Sequence, residues 1–138
     1  MIEKLKGGFP VEDTATPRYD TLKLGITFSR DILCERILTR LDARINEGMI
    51  DEVERVLRLG ATPEFLLGLG LEYRYTYKYL NGEYSGFEEY REVLYREICR
   101  FAKRQMTWFR REKDIIWLDP TGDMLSEAIA YIDSFLKT

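Results

Sequence analysis

Residues 85–111 read SGFEEYREVLYREICRFAKRQMTWFRR and contain the longest uninterrupted helical pattern of the chain. Ser85 and Glu88 have the S-x-x-E spacing of a capping box, and apolar side chains then recur on one helical face. Between Arg96 and Lys113 seven basic residues stand against two acidic ones, a local charge of +5 in a chain of net charge −3. Aromatic side chains, among them Trp108, alternate with these basic residues. A cationic, aromatic helix end on an acidic protein indicates a phosphate-bearing partner.

The composition excludes several classes of protein. A chain of 138 residues is one domain, and it contains neither an apolar run of roughly 18 residues nor an apolar signal core, so we expect a cytoplasmic protein without a membrane span. Cys34 and Cys99 lack CxxC spacing and are interpreted as buried or free thiols. The chain has no histidine, which excludes His-dependent nucleophile pairs and metal sites. The GxxxxGK[ST] phosphate loop is also missing from the sequence.

Periodicity predicts a mostly α-helical α+β fragment with about five helices and two short strands, near residues 21–28 and 115–118. Residues 1–20 contain Gly7-Gly8, Pro10 and Pro17 and are expected to form an irregular lead-in. Residues 21–138 are expected to form a single domain. Ser29 and the Thr62-Pro63 pair have the residue types that begin helices.

The tyrosine-rich segment LEYRYTYKYLNG, residues 71–82, permits two structures. Tyrosines alternate with polar residues as in a strand that enters an Asn-Gly hairpin. At helical spacing the same residues form two apolar stripes, and Asn81-Gly82 then serves as a C-cap. The pattern alone slightly favours the strand.

Three arginines, Arg36, Arg40 and Arg44, share one face of the predicted helix after Ser29. One interpretation, which the pattern favours, is a solvated stripe that pairs with the acidic residues Glu35, Asp42 and Glu47. The other is an anion clamp, because guanidinium groups match phosphate oxygens in geometry.

Three groups of segments also occur, in this order, in one known family. The first contains ITF (26–28), ERI (35–37), RLD (40–42) and EGMIDEV (47–53); the second contains LEYR (71–74) and YLNGE (79–83); the third contains AKRQMTWFR (102–110) and IWLD (116–119). From about Leu22 to Asp119 the chain resembles the C-terminal part of the tRNA dimethylallyltransferases, also called tRNA isopentenyltransferases or IPP transferases. These enzymes transfer a dimethylallyl group from dimethylallyl diphosphate to N6 of an adenine beside the tRNA anticodon.

The resemblance implies roles for individual residues. Those implied to contact the tRNA anticodon stem-loop are Tyr73, Arg74, Lys103, Arg104, Gln105, Thr107, Trp108 and Arg110. Arg40, and after it Arg36, is implied to bind the diphosphate. The resemblance also implies that the tyrosine-rich segment is helical, and that the two strands are part of the P-loop-type α/β core of the family. It places no catalytic residue, metal ligand or cofactor in this chain; Mg²⁺ is implied only for the full-length enzymes.

The chain departs from the family pattern at two points. Glu72 stands where the family commonly has Gly, which adds a carboxylate to a segment implied to face RNA. In addition, the N-terminal half of the family, with its phosphate loop and catalytic Asp, has no counterpart here. We therefore expect an excised domain or a natural truncation that does not catalyse prenyl transfer alone. Its two strands should pair with each other or with a second copy, so a homodimer is expected. The alternative function is a non-catalytic helical domain that binds RNA or another protein.

Overall fold

The computed structural model describes residues 18–138 of the chain. The elements in chain order are β1 (Lys23–Ile26), α1 (Arg30–Asn46), α2 (Met49–Arg58), α3 (Pro63–Gly68), α4 (Leu71–Leu80), α5 (Phe87–Phe109), β2 (Ile115–Leu118) and α6 (Met124–Leu136). This part of the chain confirms the mostly helical α+β prediction, with six helices where about five were expected. The irregular lead-in predicted for residues 1–20 lies almost entirely outside the described residues.

Helix α5 is the central element because its first half passes through the core. Tyr90 and Leu94 on α5 are fully buried and pack with Leu41 of α1 and Met49 of α2. The predicted apolar face is therefore buried only in this half. Beyond Arg100 the side chains of α5 are mostly exposed, so the cationic end of the helix extends past the core.

The N-terminus of α5 differs from the predicted capping box. Gly86 is the N-cap, with no side-chain cap hydrogen bond, and Oε2 of Glu89 accepts a hydrogen bond from the Ser85 amide at 2.6 Å. The prediction of Glu88 as the capping partner was wrong, because the helix begins two residues after Ser85. With Gly86 as the N-cap, Glu89 rather than Glu88 is the third residue of the helix, which is the position of the acidic partner in a capping box.

The tyrosine-rich segment is helix α4, so the strand favoured by local alternation was wrong and the helix implied by the family resemblance is confirmed. Thr76 is fully buried, and its hydroxyl forms a 2.7 Å hydrogen bond with the Tyr90 hydroxyl. Tyr79 stacks on Tyr90 with ring centroids 4.6 Å apart. Gly82, at a φ of 77°, follows the end of the helix. Contacts with α5 thus override the two-residue alternation.

The two strands form a parallel pair in which Lys23 lies opposite Ile115 and Ile26 opposite Leu118. Strand β1 is shorter than the predicted 21–28, whereas β2 has the predicted bounds. A Cβ atom on Gly25 would lie 2.7 Å from both Ile115 Cγ2 and the Trp117 ring, so this position requires glycine. The predicted pairing of the two strands with each other is confirmed.

Helix α6 follows β2, and its N-cap is Asp123, whose carboxylate accepts a hydrogen bond from the Ser126 amide at 3.2 Å. No side chain of this helix is fully buried. Within residues 18–138, no helix combines the length and apolar character that a membrane crossing requires.

Candidate nucleic-acid interface

The exposed end of α5 and the turn that follows it form a shallow open groove of about 480 Å³. The side chains that line it are Arg100, Lys103, Arg104, Thr107, Trp108 and Arg111. The first five are related by steps of three and four residues and share one face of the helix, and Arg111 extends that face into the turn. A rise of 1.5 Å per residue spreads the four cations over about 16 Å. The groove is therefore a strip of positive charge along the helix axis.

Most of these cations have no carboxylate partner within the described part of the chain. Arg100 forms an ion pair with Glu97, one turn earlier on α5. Lys103, Arg104 and Arg111 form no ion pair with any residue from 18 to 138, and their side chains are exposed. Unpaired cations on one face are free to bind an external anion, and they create the local field that attracts a polyanion.

Trp108 contributes an aromatic surface to the same groove. Its side chain is 59% exposed, and its ring makes an edge-to-face contact with Phe109 at 5.1 Å between centroids. Earlier on the helix, the Arg104 guanidinium lies 5.9 Å from the Phe101 ring centroid. Exposure of a large apolar ring beside unpaired cations suits the stacking of an unpaired base.

Six residues at the end of α5 were assigned to tRNA contact from sequence, and four of them, namely Lys103, Arg104, Thr107 and Trp108, lie together in the groove. The hydroxyl of Thr107 donates to the Lys103 carbonyl at 3.0 Å and keeps its acceptor capacity. Arg110 instead lines an adjoining crevice, which it shares with Lys103 and Thr107. Gln105 is on another face of the helix, where it lines a largely apolar groove beside the two strands.

Tyr73 and Arg74, also assigned to tRNA contact, are bound within the protein. The Tyr73 hydroxyl donates to Glu52 Oε1 at 2.8 Å, and this hydrogen bond, with burial, raises the pKa of Tyr73. Arg74 Nε donates to the Leu67 carbonyl at 2.8 Å. Both belong to α4, which packs against α5 near Tyr90. Tyr90 and Lys103 are separated by about 20 Å along the helix axis. The structure therefore does not bring Tyr73 and Arg74 into the groove.

Glu72, the departure from the family pattern, is paired within the protein. Arg44 Nε lies 3.9 Å from Glu72 Oε2, and its NH2 atom lies 3.5 Å from Glu52 Oε2. The added carboxylate therefore belongs to a polar cluster between α1, α2 and α4. The Arg44 guanidinium therefore compensates part of the negative charge of Glu72.

Arg36 and Arg40, assigned to diphosphate, remain on the exposed face of α1. The Arg36 guanidinium lies over the Phe28 ring at 4.7 Å, a contact that fixes its position without using its hydrogen-bond donors. Neither arginine forms an ion pair with a residue in the described range. The third member of the stripe, Arg44, is held by the two glutamates.

The solvated-stripe interpretation expected the three arginines to pair with Glu35, Asp42 and Glu47, and these partners were wrong. Asp42 accepts two hydrogen bonds of 2.6 Å from Arg91 on α5, one from Nε and one from NH2. This bidentate pair holds the pKa of the Asp42 carboxyl below its usual value. The pair cannot be predicted from local sequence patterns because 49 residues separate its members.

The sequence assignment also omitted Arg100 and Arg111, which line the groove. Their helical spacing from Lys103 and Arg104 was a signal that could have identified them. No group of three or more potential metal ligands was found among residues 18–138.

Comparison with known proteins connects this arrangement to one family. The sequence model of the IPP transferase family matches residues 4–112. The tRNA dimethylallyltransferase 2 of Treponema denticola is 50% identical over 95 residues, which are 69% of this chain and 32% of that protein. The tRNA dimethylallyltransferase 2 of Bacteroides fragilis is 36% identical over 140 aligned residues, covering 99% of this chain and 45% of that protein.

Two solved structures have the same fold over most of the chain. The full-length tRNA isopentenylpyrophosphate transferase of Bacillus halodurans aligns with a TM-score of 0.74 at 33% identity, over 90% of this chain and 40% of that one. The Staphylococcus epidermidis tRNA isopentenylpyrophosphate transferase aligns with a TM-score of 0.76 at 29% identity, over 89% of this chain and 39% of that one. The chain spans less than half the length of these relatives. On the family match and these likenesses, the chain belongs to the IPP transferase family.

Proposed function

We propose that the chain is the RNA-facing module of a tRNA dimethylallyltransferase and that its α5 groove binds the tRNA anticodon stem-loop. The observation that carries this proposal is the groove itself, which combines four cations and an exposed indole on one helix face. The names of the relatives supply the kind of RNA.

The charges of the groove suit a nucleic-acid backbone. Each strand of a duplex carries one phosphate per 3.4 Å of axis, so a strip of about 16 Å faces several phosphates. Lys103, Arg104 and Arg111 have no competing carboxylate among the described residues, so phosphates bind without first displacing an internal partner. Phosphate contacts of this kind provide affinity and position rather than sequence discrimination.

Trp108 provides the contact that distinguishes a loop from a duplex. Bases of an RNA loop can leave the stack and lie on an aromatic ring, whereas bases of a duplex cannot. The position of the indole among the cations allows a base to stack on the ring while its own phosphate meets a cation. We therefore expect binding of a hairpin loop in preference to a duplex of equal charge.

Arg40 and Arg36 are proposed to bind the diphosphate of dimethylallyl diphosphate. Both guanidinium groups are without a carboxylate partner in residues 18–138, and their i,i+4 spacing allows them to reach adjacent phosphoryl groups. Arg44 does not join them because Glu52 and Glu72 already occupy it.

The chain by itself is proposed not to catalyse the transfer. The sequence contains no phosphate loop to hold the leaving diphosphate and no histidine to serve as a base. Incubation of the chain with stem-loop RNA, dimethylallyl diphosphate and Mg²⁺ should leave the adenine unmodified, as judged by mass spectrometry. A modified adenine would contradict this part of the proposal.

The central test is titration of a labelled anticodon stem-loop into the chain at two salt concentrations. Lys103→Ala/Arg104→Ala should weaken binding and reduce the magnitude of the slope of log affinity against log salt by about 1.4–1.8, since each lost phosphate contact contributes about 0.7–0.9. The matched control is Arg58→Ala/Arg96→Ala. It removes the same charge from exposed ion pairs with Glu54 and Glu92, outside the groove.

Equal losses of RNA affinity in the two double variants would show that binding depends on net charge alone, and the groove would not be the binding site. Absence of binding at low salt by the unaltered chain would refute the RNA-facing role and leave the protein-interaction alternative. Tight binding of a charge-matched duplex in place of the hairpin would favour the general RNA-binding alternative.

A homodimer is also proposed, because each strand of the two-stranded sheet has one edge not paired within residues 18–138. Ile26 on β1 is 53% exposed, which leaves apolar surface beside that edge. Sedimentation of the chain over a range of concentrations checks this point. A monomer at all concentrations would refute it.

A further inference from the structure

Cys34 and Cys99 come together between two helices although 65 residues separate them. Cys34 is on the second turn of α1, and Cys99 is near the middle of α5. Both thiols are half-buried and line one crevice of about 180 Å³. The Cys34 thiol and the Tyr95 hydroxyl are near enough to Cys99 to change its pKa. The two thiols are thus neighbours across the contact between α1 and α5, and both are reachable from solvent.

The surrounding packing holds the two helices in place. The bidentate contact between Asp42 and Arg91 joins α1 to α5, and Leu41 packs against Leu94 in the core. Two cysteines on helices held together in this way can be bridged with little movement if their Cα atoms lie within about 7 Å of each other.

We propose that Cys34 and Cys99 form a reversible disulfide that ties α1 to α5. The oxidant is a small-molecule disulfide such as glutathione disulfide. The Cys34 sulfur attacks one sulfur of the oxidant, a Cys34–glutathione bond forms, and one glutathione leaves. The Cys99 sulfur then attacks Cys34, and the second glutathione leaves. Two protein thiols are oxidised, one disulfide is reduced, and the two thiol protons pass to the two glutathione molecules.

The order of these steps follows from the surroundings of Cys99. Burial, and then the neighbouring Cys34 thiol, raise the pKa of Cys99 to about 11, so little of it is thiolate at neutral pH. Since the thiolate is the attacking species, Cys99 is a poor first nucleophile. Arg30, Lys103 and Arg110 line the same crevice, and the charge of Arg30 partly opposes the rise in the pKa of Cys99. Conversion of Cys34 to a mixed disulfide removes one cause of the raised pKa of Cys99, because the neighbouring thiol is no longer present. Cys99 can then act as the second nucleophile.

The bond would link the helix that carries Arg36 and Arg40 to the helix that carries the cationic groove. Closure of a loop of this length restricts the unfolded chain, and the native packing places both cysteines beside one crevice. We therefore expect the oxidised protein to melt about 10 °C above the reduced protein.

The test is incubation of the full chain with glutathione disulfide, followed by mass spectrometry and peptide mapping without reduction. The unaltered chain should lose two hydrogen atoms, carry no glutathione, and yield a cross-linked peptide containing both cysteines. Cys99→Ser should accumulate one glutathione on Cys34, because the second step is blocked. Cys34→Ser should react more slowly than Cys99→Ser.

The inference is overturned if the unaltered chain keeps glutathione on either cysteine, links two copies through them, or stays reduced. It is also overturned if the oxidised chain melts below the reduced chain, because the native packing would then not accommodate the bond. Cys34→Ser/Cys99→Ser is the control for melting and should show the same transition with and without the oxidant. These readouts do not involve RNA, so they are independent of the proposed function.

Discussion

The hydrogen bond between Thr76 and Tyr90 should make a measurable contribution to stability through its burial. Both side chains are fully buried, and their hydroxyl oxygens are 2.7 Å apart. Tyr90→Phe leaves the Thr76 hydroxyl without this partner, and Thr76→Val does the same to the Tyr90 hydroxyl. An unsatisfied buried hydroxyl costs about 1–3 kcal/mol. Each single variant should therefore lower the free energy of unfolding by that amount.

The double variant Thr76→Val/Tyr90→Phe removes both polar groups while nearly keeping their shapes. The double variant should lose much less free energy of unfolding than the sum of the two single losses, because no hydroxyl remains unsatisfied. A coupling energy of about 1–2 kcal/mol is expected for groups in direct contact. Urea unfolding at pH 7, followed by far-UV circular dichroism, gives the four free energies of the cycle.

The control for the removed phenol hydroxyl is Tyr131→Phe, since Tyr131 on α6 is 37% exposed. That substitution should change the free energy of unfolding by less than about 0.5 kcal/mol. Additive losses in the double variant would refute the reasoning, because they would show that the two hydroxyls do not depend on each other. Unchanged stability in both single variants would refute it as well.

Three further predictions follow from other parts of the structure. Gly25→Ala should destabilise the protein by about 1–3 kcal/mol, since its Cβ would lie 2.7 Å from side chains of β2. Gly68→Ala is the control and should leave the stability unchanged, because the space around Gly68 is open. Thermal melting of the two variants and the unaltered chain measures the difference. Asp42→Asn should make the free energy of unfolding fall less steeply as the pH is lowered below about 4. Arg91 lowers the pKa of Asp42 in the folded chain, so the ionised carboxylate stabilises the protein above its unfolded pKa, and this stabilisation is lost as the pH falls through the folded value. Unchanged acid unfolding would contradict this. Trp108→Ala should weaken stem-loop binding about 5–150-fold, against little change for binding of a duplex.

Several features were predictable because they depend on residues close in sequence. Ser29 accepts from the Ile32 amide at 3.5 Å and Thr62 accepts from the Phe65 amide at 3.2 Å, as their positions before helices indicate. The short apolar run Ile115–Leu118 is the second strand. The exposure of Trp108 agrees with its place at a cationic helix end.

Other features were not predictable from local pattern. The alternation of tyrosines with polar residues suits a strand, yet Thr76 and Tyr90 require a helix at this position. Asp42 has arginines on its own helix, but its partner is Arg91. Gln105 belongs to the same sequence motif as Lys103, yet it lies on a different face of α5.

Local sequence patterns were sufficient to predict most helix and strand types, most helix starts, the position of the cationic aromatic segment and the resemblance to the IPP transferases. Only the tertiary structure decided which arginines are free, with Arg36 and Arg40 exposed on α1 and Arg44 and Arg74 bound within the protein. The physical reason is range. Capping and periodicity act between residues about four positions apart, whereas pairing and burial depend on side chains that only the folded chain brings together.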